Sequence, residues 1–177
     1  MVLWQKLAAS CRARLLSLDI TGRGIAFAYF DGPERLLDFG VTKTRDKSKH
    51  AYVECAESLF WRFLPDLLVL EKTGGKGSRR GLRARTVIQR IELLALTKTL
   101  PVRKVSRAEV NAAFAGIGKN KHEIAVAIAR FFPELERKLP RERKPWMSED
   151  LRANVFDAVS FAFTVYRTPE DLEEIAA

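Results

Sequence analysis

The chain has 177 residues, 47% hydrophobic and 30% charged, with ten Gly, seven Pro and two Cys. This composition excludes whole-chain disorder and fits one globular domain over 1–177; no apolar run approaches the roughly 18 residues of a membrane span. The formal net charge of +9 is uneven, with 29 Lys/Arg against 15 Asp/Glu over 1–146 and two against seven over 147–177, which points to a polyanionic partner, nucleic acid ahead of a membrane surface.

In chain order, Lys6, Arg12 and Arg14 come too early for a secretory leader, so a cytoplasmic protein is expected. Cys11 and Cys55 lack partners at disulfide or metal-ligand spacing and read as ordinary, partly buried thiols. Residues 14–20 alternate, with Leu16, Leu18 and Ile20 on one face, and predict a strand. Thr21-Gly22-Arg23-Gly24 is a turn, 24–30 a second strand, Asp31-Gly32-Pro33 a turn and 35–41 a third strand. Tyr52, Cys55, Ala56, Leu59, Phe60, Phe63 and Leu64 then follow a helical period, with Asp46 or Ser48 as cap. After Pro65-Asp66, the unalternating run 67–71, LLVLE, predicts a strand buried on both faces. A Gly-rich basic stretch (72–83) opens a helix carrying Val87, Ile88, Ile91 and Ala95; 101–106 is a fifth strand. Residues 107–115 and 120–132 read as helices split by Gly116-Ile117-Gly118, and a charged link (137–145) leads to a last helix from Ser148 to about Arg167. The order βββ-α-β-α-β-α-α, closed by a helix, predicts a three-layer α/β domain with a mixed five-stranded sheet.

Three acids stand out. Asp19 lies near the end of the first strand, away from its apolar side; taken alone, it reads first as an Asp opening the Thr-Gly turn. Glu71 ends the LLVLE strand, where the carboxyl ends of central strands form the usual crevice of open α/β sheets; the alternative is a solvated strand end. Asp157 lies in NVFDAVSFAFTVY, apolar nearly all round, where a carboxylate is costly unless paired or metal-bound; an ion pair with an Arg such as Arg152 is the competing account. Brought together, three carboxylates need a counter-charge, and hard divalent cations supply it. Two Mg²⁺ ions about 3.5–4 Å apart activate water and stabilise the leaving oxygen in phosphodiester cleavage. His50 and His122 do not form a zinc pattern.

The element order, with LDITGRGIAFAYF, LLVLE and DAVSFAF in their places, resembles the ribonuclease H-like superfamily, and within it the RuvC-type Holliday-junction resolvases, over about residues 14–166. Asp19, Glu71 and Asp157 match that family's strand-one Asp, strand-four Glu and final-helix Asp, and GIGKNKHEIAVAI resembles its Gly-rich turn, with Lys121 the matching lysine. Where the family has a fourth acid or a His one turn before the final Asp, this chain has Asn154, whose amide oxygen is a weaker ligand; Asp150 lies two turns before Asp157. The family's aromatic soon after the Glu is replaced by Lys72-Thr73-Gly74-Gly75.

The resemblance implies a Mg²⁺-dependent endonuclease cutting four-way DNA junctions as a homodimer, with Mn²⁺ the other candidate ion and no small-molecule cofactor beyond metal. Asp19, Glu71, Asp157 and Asn154 would be the metal ligands, and Lys121 the phosphate-orienting cation. Residues 72–90 hold seven Lys/Arg and no acid. They read either as a solvated loop or as a phosphate track in which Lys72, Lys76, Arg79, Arg80, Arg83 and Arg85, widened by Lys119 and Lys121, grip nucleic acid. The apolar positions from Val87 to Leu96 are a candidate dimer face, and Trp4, Trp61 and Trp146 are expected in packing roles. Two other functions fit the same residues: a nuclease acting on structured RNA, and a nucleic-acid-binding module of the same fold without cleavage.

Overall fold

The computed structural model describes residues 13–74, 80–118, 120–142 and 152–167. Strands β1 (Arg14–Thr21), β2 (Gly24–Asp31) and β3 (Leu36–Lys43) form the antiparallel meander. Helix α1 (Lys49–Phe63) leads to β4 (Leu67–Glu71), and α2 (Leu82–Thr97) to β5 (Val102–Val105). Then come α3 (Arg107–Ala113), α4 (Lys121–Phe131), a 3₁₀ turn (Pro133–Lys138) and α5 (Ala153–Arg167). The sheet order is β3-β2-β1-β4-β5, with β4 parallel to both β1 and β5. A mixed five-stranded sheet flanked by helices on both faces is therefore what the sequence pattern specifies.

The strand period divides the core. Leu16, Leu18 and Ile20 pack with Leu68 and Leu70 under α1 and α2. Leu15, Leu67 and Val69 point the other way, into the cluster that holds Val159, Ala162 and Phe163 of α5. All residues from Val155 to Tyr166 are buried, so α5 is enclosed on every side, with α3 and α4 packed against it. Its small residues Ala158 and Ala162, both at 0% exposure, allow the close approach to the sheet.

Local chemistry sets the boundaries. Ser48, rather than Asp46, caps α1, its hydroxyl accepting from the Ala51 N–H; Asp46 instead accepts from the Ser48 N–H. The β1–β2 turn is locked by the Thr21 hydroxyl, which donates to the Gly24 carbonyl at 2.9 Å, and the Tyr52 hydroxyl of α1 donates to the Thr21 carbonyl at 2.7 Å. Gly24 is required there, because a Cβ would meet the Thr42 carbonyl oxygen at 2.1 Å. The described part of the last helix begins at Ala153; Ser148 and Asp150 lie outside the described residues.

Two expectations about apolar residues change. Trp61 is 66% exposed with the Lys98 ammonium over its ring, so it is a surface side chain and not a packing one; Trp4 and Trp146 lie outside the described residues. On α2, Val87, Ile88, Ile91 and Ala95 are buried under the chain's own sheet, leaving Leu82, Leu93 and Leu96 as the exposed apolar residues of that helix. Cys55 is a buried free cysteine, its thiol pushed up by burial; Cys11 is outside the described residues. Among the described residues no helix is long and apolar enough to cross a membrane.

Candidate active site

The parallel register of β1 and β4 ends with Leu18 beside Leu70. One step further along each strand stand Asp19 and Glu71, and the period-two alternation turns both toward the α5 side. Asp157, about one turn into α5, is presented from above. The three acids are all buried, Asp19 to 0%, Glu71 to 9% and Asp157 to 7% exposure. The negative charges of Asp157 and Glu71 both act on Asp19, so three distant stretches of sequence meet at one end of the sheet.

Three cations answer them. Arg80, just before the start of α2, spreads its guanidinium over the two strand-end acids. Its Nε donates to Glu71 Oε2 at 2.5 Å, its Nη2 to Asp19 Oδ1, and its Nη1 to the Ile20 carbonyl at 2.7 Å. Asp157 has two partners of its own: Arg107 Nη1 donates to Oδ1 at 3.0 Å and Lys121 Nζ to Oδ2 at 2.9 Å. Arg107 opens α3 directly after β5, behind a capping box of Ser106 and Glu109, with its guanidinium also over the Phe161 ring. Lys121 opens α4 behind the Asn120 cap. The chain can reach that cap because Gly118 lacks a Cβ, which would meet the Ile124 nitrogen at 2.8 Å.

Burial drives the Asp19 carboxyl up to about 7; Arg80 opposes this, Asp157 and Glu71 add to it, and Lys121 opposes it from further off. Burial also works against the charge on Arg80, but Asp19, Glu71 and Asp157 outweigh it and hold Arg80 above its ordinary value. One oxygen of the cluster, Asp19 Oδ2, is buried without a hydrogen-bond partner among the described residues.

An orphaned carboxylate oxygen beside two further carboxylates is a hard-donor set, and its chemistry suits a divalent cation such as Mg²⁺. In the conformation seen, however, no group of three or more His, Cys, Asp or Glu side chains among the described residues is arranged to hold a metal ion. The guanidinium of Arg80 occupies the space between two of the candidate ligands.

Asn154 lies one turn before Asp157 and is half-buried. Of the basic residues read as a phosphate track, Lys72 and Arg83 are exposed, Arg83 lying over the Tyr52 ring. Arg85 donates to the Arg80 carbonyl at 2.9 Å, and Arg80 itself faces the acids. Lys76, Arg79 and Lys119 lie outside the described residues. Arg152, the suggested partner of Asp157, is not the one that pairs with it: Arg107 and Lys121 are. Arg107 was not among the sequence-derived candidates. Its signal is its place, the first residue after a Ser cap at the carboxyl end of a parallel strand.

No protein-family model and no curated protein matches the sequence. Solved structures do match. The Thermus thermophilus RuvC structure is 17% identical, covering 90% of this chain and 97% of its own, with a TM-score of 0.62. T. thermophilus RuvC in complex with a Holliday junction substrate gives 16% identity, 89% and 96% coverage and a TM-score of 0.62. The yeast mitochondrial Holliday junction resolvase Ydc2 gives 13% identity, 98% and 89% coverage and a TM-score of 0.61. Nearly the whole chain thus follows the RuvC-type, ribonuclease H-like fold.

Proposed function

We propose that the chain is a single-domain, Mg²⁺-dependent endonuclease that cuts four-way DNA junctions as a homodimer. The observation that carries this reading is the convergence of Asp19, Glu71 and Asp157, from β1, β4 and α5, at one end of a RuvC-type sheet. The RuvC structure that contains a Holliday junction gives the substrate class its support.

Asp19, Glu71 and Asp157 would hold the metal, with the Asn154 amide oxygen as an auxiliary ligand. When bound, divalent ions supply a water activated for attack and neutralise charge on the leaving oxygen. The chain's own residues supply the rest. The unpartnered Asp19 oxygen is already desolvated, so binding a cation there costs no further hydrogen bond. Lys121, 54% exposed at its side chain, reaches from the acids to the rim, where it would orient a phosphate and offset charge gathering in the transition state. Arg107 fixes Asp157 from the opposite oxygen, so it acts by positioning a ligand. Lys72 and Arg83 would track the backbone outside.

The test is a cleavage gel with labelled four-way junction, linear duplex, single strand and RNA hairpin, each with Mg²⁺ and with EDTA, for wild type and Asp19→Asn. Paired, metal-dependent nicks confined to the junction are expected. Asp19→Asn should lose cleavage by about 10³-fold or more while keeping junction binding, since the change removes a ligand and a negative charge. Cutting of the RNA hairpin instead would move the substrate to structured RNA.

A second reading has an observation behind it. Asn154 stands where RuvC-type resolvases have a fourth acid or a His, and no metal-holding group of side chains is formed among the described residues. A nucleic-acid-binding module without cleavage would bind junctions in EDTA and yield no product with Mg²⁺ or Mn²⁺.

A further inference from the structure

We propose that Arg80 is an internal counter-cation of the site, which exchanges Asp19 and Glu71 for a nucleic-acid phosphate as a divalent cation enters. The inference rests on the nuclease reading above. Among the described residues three side-chain cations face three carboxylates, but they are divided unequally. Arg107 and Lys121 both serve Asp157, whereas Arg80 alone spans Asp19 and Glu71. It does so with every nitrogen of the guanidinium: Nε on Glu71, Nη2 on Asp19 and Nη1 on the Ile20 carbonyl. A fork so placed takes Glu71 Oε2 and Asp19 Oδ1 and stands between the two carboxylates, leaving Asp19 Oδ2 without a partner among the described residues. A guanidinium and a divalent ion cannot both stand between them, because both are cationic at a separation of a few Å in a buried site.

The exchange is mechanically open. The Arg80 carbonyl accepts from Arg85 Nε at 2.9 Å, and Gly81 then caps α2, so the backbone is anchored while the side chain keeps its rotatable bonds. That side chain is 25% exposed, so it already borders solvent. Arginine retains its charge wherever it goes and binds phosphate oxygens as a fork. Leaving the acids for a phosphate therefore swaps one charge-assisted pair for another. The consequence is linkage: bound nucleic acid, by holding Arg80 outside, raises metal affinity, and bound metal raises nucleic-acid affinity by the same factor. In the absence of nucleic acid, Arg80 holds metal affinity down.

The test uses Mn²⁺ alone, with calorimetry on wild type and Arg80→Gln, and a ¹⁵N spectrum of the wild-type arginine Nε–H groups during the same titration. Arg80→Gln is expected to bind Mn²⁺ at least about tenfold more tightly, since a unit positive charge within a few Å of the ion is removed. Repeated with diamagnetic Mg²⁺, the wild-type titration should move the Arg80 Nε–H resonance with the same midpoint as metal uptake. Equal or weaker binding by Arg80→Gln overturns the exchange and leaves the nuclease reading standing. So does an Arg80 resonance that stays unmoved at saturating metal, a readout that needs no variant to fold. Uptake of metal by neither protein overturns both.

Discussion

Asp19 has the least favourable surroundings of any ionisable group described in the chain. It is fully buried, it shares its neighbourhood with two other carboxylates, and its folded value of about 7 exceeds the ordinary 3.8. Between about pH 4 and 7 the folded chain therefore binds a proton that the unfolded chain has released, so stability falls as pH rises through this window. Below pH 4 both states are protonated and the difference vanishes. A shift of that size integrates to about 4 kcal/mol at most. In EDTA at pH 8, Asp19→Asn should be more stable than wild type by about 1–3 kcal/mol, with the two converging near pH 4 in urea denaturation. A variant less stable at pH 8 would mean that the pair with Arg80 outweighs the burial of the charge. The other informative residue is Asn154. Being half-buried one turn from Asp157, it has room for a carboxylate. Asn154→Asp should keep its thermal midpoint in Mg²⁺ and cleave as fast as wild type or faster. Loss of folding would place Asn154 in packed core instead.

At the level of elements, the basic segment after β4 divides by direction. Lys72 and Arg83 face solvent, while Arg80 turns to the acids and Arg85 holds the Arg80 carbonyl. Each phosphate contact contributes about one unit to the log–log salt slope. Lys72→Ala with Arg83→Ala should therefore flatten the slope of junction binding by about two, measured by fluorescence anisotropy between 50 and 200 mM salt. An unchanged slope would put the track elsewhere. This division is also where sequence reading reaches its limit. The strands and helices are legible because burial imposes periods of two and 3.6, and α5 announces its enclosure by having almost no polar face. Asp19, Glu71 and Asp157 are legible because each violates the pattern of its own element. Arg80 does not violate anything: in KTGGKGSRRGLRAR it is one cation among several, and its pairing with Asp19 spans 61 residues. Arg107 is hidden for the same reason, its partner Asp157 lying 50 residues on. Trp61 misleads in the opposite sense: the size of its ring suggests packing, although position 61 falls off the helical stripe of Tyr52, Cys55, Ala56, Leu59 and Phe60 and points outward.

For the whole molecule, the proposed dimer follows from the symmetry of the substrate. A four-way junction is resolved by two matched cuts, and a two-fold assembly presents two identical sites to them. The surface that α2 leaves open is suited to such an assembly. With Val87, Ile88, Ile91 and Ala95 committed to the chain's own core, the outward residues Leu82, Leu93 and Leu96 stand at 81%, 61% and 59% exposure. Eleven residues separate Leu82 from Leu93, three helical turns, so they share one stripe with Leu96. An isologous contact would set the Leu82 end of one copy against the Leu93 and Leu96 end of the other, covering apolar area that a lone copy leaves in water. Leu93→Glu with Leu96→Glu should therefore halve the sedimenting mass without altering the circular dichroism, because neither side chain supports the core. The same variant should still hydrolyse single phosphodiester bonds, since the three acids are untouched. Its products should change from paired to single nicks. A wild-type chain that sediments as a monomer would remove the dimer from the mechanism, and a double variant that still makes paired nicks would move the interface to another face of the molecule.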